Sequence, residues 1–188
     1  FDGEKGAPYL ETDPKRPLGV YAASKLAGEN FVRALAPRPF DLRVSGLYGT
    51  APCRGKKGEN LVLTMLRLAR ERDALNVVED EFLTPTFTAD IATQFAELLP
   101  TKAYGLYHMT AGGACSWYEF TREIFRLAGV SMPLHPTARD RFPTKAERPR
   151  YSVLDNAALR GLDIDHMPDW RDGLARYMAL VTREGNQS

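Results

Sequence analysis

Helical and strand-like patterns alternate along this chain, which restricts it to folds in which helices pack on parallel strands. The first helical pattern runs from about Pro17 to Leu35. Within it Ala27, Phe31, Ala34 and Leu35 recur at i, i+4, i+7 and i+8, a stripe expected to bury one side. Pro37 and Pro39 stop this helix, and Phe40 to Gly49 has the length and composition of a strand. Val62, Met65, Leu66 and Ala69 mark a helix opening near Asn60, and Leu75 to Val78 a short strand. Glu79 to Thr88 reads as loop. Ile91, Phe95 and Leu98 are then the buried side of a helix capped by Thr88 and closed by Pro100. Gly105 to Thr110 is strand-like. Ser116 and Glu119 have capping-box spacing before a helix that ends at Gly129, a residue suited to a left-handed cap. Leu134 to Thr137 reads as another strand, and Trp170, Leu174, Tyr177, Met178 and Val181 define a last helix opening near Pro168. The first 16 residues, rich in Gly, Pro and charge, read as a connecting loop.

With 188 residues, 44% of them hydrophobic, the chain can bury a substantial core. Lys plus Arg number 25 against 24 Asp plus Glu, so no electrostatic case exists for a nucleic-acid or acidic-membrane partner. A small anionic ligand needs only a local basic cluster. No stretch approaches the roughly 18 apolar residues of a membrane span, and the first residues do not form a signal peptide, so a cytoplasmic protein is expected. Cys53 and Cys115 are expected as free thiols. His108, His135 and His166 lack metal-site spacing and are expected as packing or surface residues.

Chemistry concentrates in Tyr21 and Lys25, four residues apart in the first helix and therefore on one face. A phenol titrates near pH 10, and a neighbouring ammonium lowers that value, so Tyr21 has the makings of a tuned general acid. Two further segments suit a diphosphate: the glycine- and lysine-rich run Cys53 to Glu59 before the Asn60 helix, and Arg148 in the Arg-Pro loop, whose guanidinium can bind oxyanions in bidentate fashion.

The flanks of the pair make a resemblance. Phe1-Asp2-Gly3, Pro8-Tyr9, Glu11-Thr12-Asp13, Pro17-Leu18 and Val20-Tyr21 followed by Ser24-Lys25-Leu26-Ala27-Gly28-Glu29 resemble the extended short-chain dehydrogenases. Within them the chain looks most like the dTDP-4-dehydrorhamnose reductase family, from Phe1 to about Tyr177. Arg148-Pro149 through Ser152, Leu154 and Asp155 matches a signature of that family, as do Thr84-Pro85-Thr86 and the Gly105 to His108 strand. The resemblance implies an α/β fold: a partial Rossmann-type unit lacking its N-terminal nucleotide-binding half, plus a small α/β substrate-binding domain. Residues 1–50 would be the remnant of the NAD(P)-binding domain, and 51–188 mainly the sugar-nucleotide domain.

The resemblance also implies roles. Tyr21 would protonate the substrate carbonyl oxygen, while Lys25 tunes it and holds the nicotinamide ribose. Backbone at Ser45, Gly46 and Leu47 would border the nicotinamide, and Asn60, Thr86 and Arg148 would contact the nucleotide sugar. Gly46 stands where the family often carries tryptophan near the sugar, which leaves that face to another side chain or points to another sugar. The implied cofactor is NADPH, with NADH as the alternative and a need for Mg²⁺ left open. No Gly-x-Gly-x-x-Gly turn is present, so the chain alone is expected to bind cofactor poorly and to catalyse nothing. Expected partners are a nucleotide sugar and either a second copy of the chain or the missing N-terminal half. Two rivals remain: an epimerase or dehydratase of the same superfamily, and a non-catalytic subunit similar to the methionine adenosyltransferase β subunit.

Overall fold

In a computed structural model of the chain, residues 1–52, 58–141 and 148–185 are described. In chain order the elements are α1 (Val20–Leu35), β1 (Phe40–Arg43), β2 (Leu47–Tyr48), α2 (Leu61–Glu71), β3 (Leu75–Val78), β4 (Phe82–Leu83) and β5 (Thr86–Phe87). They continue with α3 (Thr88–Leu98), β6 (Gly105–His108), β7 (Cys115–Ser116), α4 (Trp117–Ala128), β8 (Leu134–Thr137), α5 (Ala157–Gly161) and α6 (Trp170–Gly185).

Local chemistry sets most of these boundaries. α1 ends at Leu35 because Ala36 is pushed to extended geometry by the following proline. The Asn60 side chain caps α2 by accepting from the Leu63 N–H at 3.2 Å. The capping box of α4 forms as expected: Ser116 Oγ accepts from the Glu119 N–H, and the Glu119 carboxylate accepts from the Ser116 N–H. Gly129 closes that helix at φ 65°. α3 departs from expectation. Thr88 is its first residue and not its cap, the cap position falls to Phe87, and the preceding segment forms β4 and β5 instead of loop.

Strands pair across long sequence separations. β1 runs parallel to β6 with Phe40 opposite Gly105 and Arg43 opposite His108, β2 parallel to β5, β3 parallel to β8, and β4 antiparallel to β7. The expected strand over 40–49 is broken into β1 and β2. Gly46, at φ +57°, takes a left-handed conformation that no ladder continues through.

Two cores result. The larger gathers Tyr48, Val62, Leu75, Phe87, Phe120, Ile124, Trp170, Leu174 and Tyr177 between α2, α4, α6 and the short strands. The smaller holds Leu98, Tyr107, Met109 and Leu159, with Phe40, Leu42, Ile91 and Phe95 packed against it. On α3 the fully buried positions are Asp90, Gln94 and Leu98, while Ile91 and Phe95 are half-buried. Two of those polar side chains serve as joints. Asp90 accepts from both Nη atoms of Arg176 at 2.6 and 2.8 Å, fastening α3 to α6. Gln94 donates to the Ile164 carbonyl and accepts from the His166 N–H.

The stripe on α1 is where expectation fails. No residue of α1 is buried, Phe31 is 66% and Leu35 81% exposed, and Ala27 and Ala34 are exposed as well. A periodic apolar stripe shows which side wants cover; it does not supply the cover. Among the described residues β1 pairs with β6 alone, so no further strand lies beside it to carry that helix face.

Candidate active site

Tyr21 lies in the first turn of α1 and Lys25 one turn on, with the Lys25 ammonium 5.5 Å from the centroid of the Tyr21 ring. Both side chains are exposed, Tyr21 at 74%, as the i,i+4 spacing requires of one shared face. Ser24, between them, donates its hydroxyl to the Tyr21 carbonyl at 2.7 Å, so it serves the helix backbone.

A cleft of about 710 Å³ opens beside the start of this helix. Leu18, three residues before Tyr21, is part of its wall. Arg139, Arg148 and Arg150 line it together with Phe82 and Tyr151, and so do the acidic residues Asp2, Glu4, Asp80 and Asp140. Neither Tyr21 nor Lys25 lines the cleft. They stand on the helix that leaves its rim.

The segment that carries Arg148 is sewn into the fold from several sides. The Phe82 N–H donates to the Arg150 carbonyl and the Ser152 N–H to the Phe82 carbonyl, both at 2.8 Å, which extends β4 by one parallel bridge to Tyr151. Tyr9 pairs with the same segment through the Val153 carbonyl at 3.0 Å and the Asp155 N–H at 2.9 Å. Asn156 then acts as a strand edge made of side chain. Its Oδ1 accepts from the Thr110 N–H at 3.0 Å, and its Nδ2 donates to the Thr110 carbonyl at 2.8 Å. The expected connecting loop at the N-terminus is therefore a structural strap. The Tyr9 hydroxyl donates to Asp2, whose carboxyl is held below its ordinary range by that bond, and Glu11 accepts from the N–H groups of His108 and Ala158.

The remaining expected site residues divide. Ser45 is buried and donates to the Ser152 carbonyl at 3.2 Å, while Leu47 is 49% exposed. A Cβ on Gly46 would meet Leu83 Cδ1 and Thr84 O at 2.8 Å and Pro85 Cα at 2.9 Å, so this backbone admits no ring where the family often has tryptophan. Asn60 serves as a joint within the chain. Its amide donates to the Gly49 carbonyl at 2.9 Å and the Tyr177 hydroxyl at 2.7 Å while its oxygen caps α2. Thr86 is fully buried, donating to the Thr84 carbonyl and accepting from the Ala111 N–H. Residues 53–57 of the glycine- and lysine-rich loop, Cys53 included, lie outside the described residues. Cys115 is a buried free thiol whose titration is pushed far up by burial. His108 is fully buried, and His135 and His166 are exposed. Among the described residues no cluster of metal-ligating side chains occurs, and no helix is long and apolar enough to cross a membrane.

Parallel strand pairs, a Tyr-x-x-x-Lys helix and an arginine-lined cleft at its start define a partial Rossmann-type α/β fold of the extended short-chain dehydrogenase kind. Solved structures agree. A dTDP-4-dehydrorhamnose reductase from Clostridium acetobutylicum superposes with a TM-score of 0.90 at 40% identity, covering 97% of this chain and 62% of that one. The dTDP-4-dehydrorhamnose reductase of Bacillus anthracis, determined with NADP, gives 0.89 at 37%, covering 95% of this chain and 62% of that one. The RmlD substrate binding domain model matches residues 1–183, and the chain belongs to that family. A dTDP-4-dehydrorhamnose reductase of Aggregatibacter actinomycetemcomitans is 38% identical over 194 aligned positions, spanning 96% of this chain and 64% of that protein. The chain thus spans a little under two thirds of the relatives it matches.

Proposed function

We propose that this chain is the substrate-binding portion of an NADPH-dependent reductase that converts dTDP-4-dehydro-L-rhamnose to dTDP-L-rhamnose in the cytoplasm. The observation that carries this reading is the Lys25 ammonium over the Tyr21 ring on an open helix face, at the rim of a cleft with three arginines among its lining residues. Tyr21 Oη gives its proton to O4 of the sugar as C4 is reduced from ketone to secondary alcohol. The phenolate left behind regains a proton from solvent. Lys25 keeps its ammonium beside that ring, opposite in charge to the phenolate that forms. Arg148, with Arg150 and Arg139, holds the diphosphate, and Phe82 and Tyr151 offer ring faces to the base or sugar.

The residues present fit NADPH: an exposed phenol and ammonium suit ribose hydroxyls, and the Ser45–Leu47 backbone reaches the surface at Leu47. NADPH, when bound, supplies the hydride. Residues 1–50 make up the cofactor-side part in this reading, and 51–188 are mainly the sugar-nucleotide part. The uncovered stripe of α1 and the free edge of β1 are the surfaces on which the rest of a nucleotide-binding unit, or a second copy, packs. The test is product analysis with the complete protein. One NADPH oxidised for each dTDP-L-rhamnose formed supports the reductase, whereas sugar conversion without net NADPH oxidation belongs to an epimerase or dehydratase.

A further inference from the structure

α1 carries the proposed acid and its lysine, yet none of its apolar residues is buried and only Ala22 and Leu26 among them are half-buried, so core packing holds its orientation only weakly. Glu29 stands in that place. Its side chain is 16% exposed and takes a two-bond fork from Arg43, Nε to Oε1 and Nη2 to Oε2, both at 2.7 Å. Lys15 donates to the same carboxylate at 3.2 Å. Arg43 is itself fixed at the end of β1. Its carbonyl accepts from the Met109 N–H at 2.9 Å, its Nη1 lies 3.5 Å from His108 Nε2, and its guanidinium lies 5.1 Å from the centre of the Phe1 ring. One turn beyond Glu29, Arg33 reaches Asp41 of the same strand at 3.4 Å, a weaker tie at a more open position.

We infer that Glu29 and Arg43 form a positioning clamp that sets the roll of α1 and so fixes where Tyr21 and Lys25 stand relative to the cleft. The inference rests on the reductase reading above. At about 100° and 1.5 Å per residue, Tyr21, Lys25 and Glu29 descend the helix in steps of about 6 Å and about 40°. The clamp therefore sits roughly 12 Å along and 80° around from the phenol. A roll of about 10° moves a side-chain tip about 6 Å from the axis by about 1 Å. A misplacement of that size costs up to about 100-fold in a reaction that needs aligned groups. The fork suits the task. Two parallel charge-assisted bonds between planar groups resist rotation, where a single bond would act as a pivot.

The test compares E29Q, R43K and the double variant E29Q/R43K in the complete reductase. Glutamine keeps the shape of Glu29 and loses the charge, and lysine keeps the charge of Arg43 and loses the fork. The clamp requires kcat to fall about 10- to 100-fold in each single variant with KM for the sugar nucleotide nearly unchanged. It also requires the double variant to lose no more than the worse single. A kcat near wild type in both single variants, or a loss that merely follows the fraction of folded protein, overturns it. Hydrogen exchange of the 20–35 amides is measured on the same proteins. Faster exchange there in E29Q, with the 61–71 helix unchanged, supports the clamp, and unchanged exchange in both helices contradicts it. If the wild-type protein reduces no 4-keto sugar nucleotide, the functional reading fails by itself, and the exchange result still decides whether the clamp exists.

Discussion

Replacing Gly46 by alanine probes the turn that separates β1 from β2 and borders the proposed nicotinamide face. The backbone there has φ +57°, where a Cβ costs about 1–2 kcal/mol against glycine. The added carbon would also sit 2.8 Å from the Thr84 carbonyl oxygen and 2.9 Å from Pro85 Cα, both backbone atoms that cannot swing aside as a side-chain tip can. Overpacking of this kind adds about 1–3 kcal/mol, so the total is about 2–5 kcal/mol. For a chain of this size that corresponds to a fall in Tm of roughly 4–20 °C. Gly28→Ala is the matched control. Its Cβ meets nothing within 4 Å, and as a helix-interior site in α1 it should gain about 0.8–1 kcal/mol. Differential scanning calorimetry of both variants against wild type reads the contrast directly. A Gly46→Ala protein that melts with the wild type would refute the left-handed turn and its contact with the 83–85 segment. Gly46→Trp, the residue the family often has there, should fare worse than alanine.

Asn156→Ala removes partners from both the N–H and the carbonyl of buried Thr110, and at about 1–3 kcal/mol for each unsatisfied group it should cost about 3 kcal/mol in a denaturant titration. Acid should destabilise the protein in two stages with the same sign. His108 has its pKa lowered from 6.5, chiefly by burial, so below about pH 6.5 the unfolded chain binds a proton that the folded one refuses, and stability falls. Glu29 is also lowered: burial pulls its carboxyl upward, but the bonds and charges of Arg43 and Lys15 outweigh that. Its contribution is complete above about pH 4.5 and is lost as pH falls through the folded value. A stability curve that rises on acidification from pH 6.5 would contradict both. Phe31→Ser with Leu35→Ser should raise solubility of the chain while changing its Tm by only a few degrees, since neither ring nor branch is buried here. A large loss of Tm would mean that the stripe is covered.

How much of this was legible in sequence depends on whether the controlling interaction is local. The α4 capping box, the Gly129 cap and the periodic faces of α2 and α6 are written within a few residues and appear as read. The Tyr21–Lys25 contact is likewise one helical turn of local geometry. What was illegible depends on partners distant in sequence. Asn60 and Thr86 are singled out by motif alone, and the partners they bond, Gly49, Tyr177 and Ala111, arrive from elsewhere in the chain. The break at Gly46 follows from a close approach to Thr84 and Pro85 that no local pattern announces. The stripe of α1 is correctly apolar and wrongly assigned as buried, since periodicity is blind to what faces it. Arg150, Phe82 and Tyr151 are brought to the cleft by the pairing of the 150–152 segment with β4, and Arg139 is held there by its N–H to Asp80. Glu29 is visible as the last residue of the Ser24–Glu29 run that follows Tyr21, but its partner Arg43 lies 14 residues on and gives no signal.

The central claim is that Tyr21 is the proton donor, and Tyr21→Phe in the complete protein addresses it most directly. The substitution removes one exposed hydroxyl and leaves the helix, the Glu29 fork and the arginine-lined cleft intact. The account predicts a loss of NADPH-dependent turnover of about 10²–10⁴-fold, with dTDP affinity by calorimetric titration unchanged. Turnover equal to wild type would contradict it.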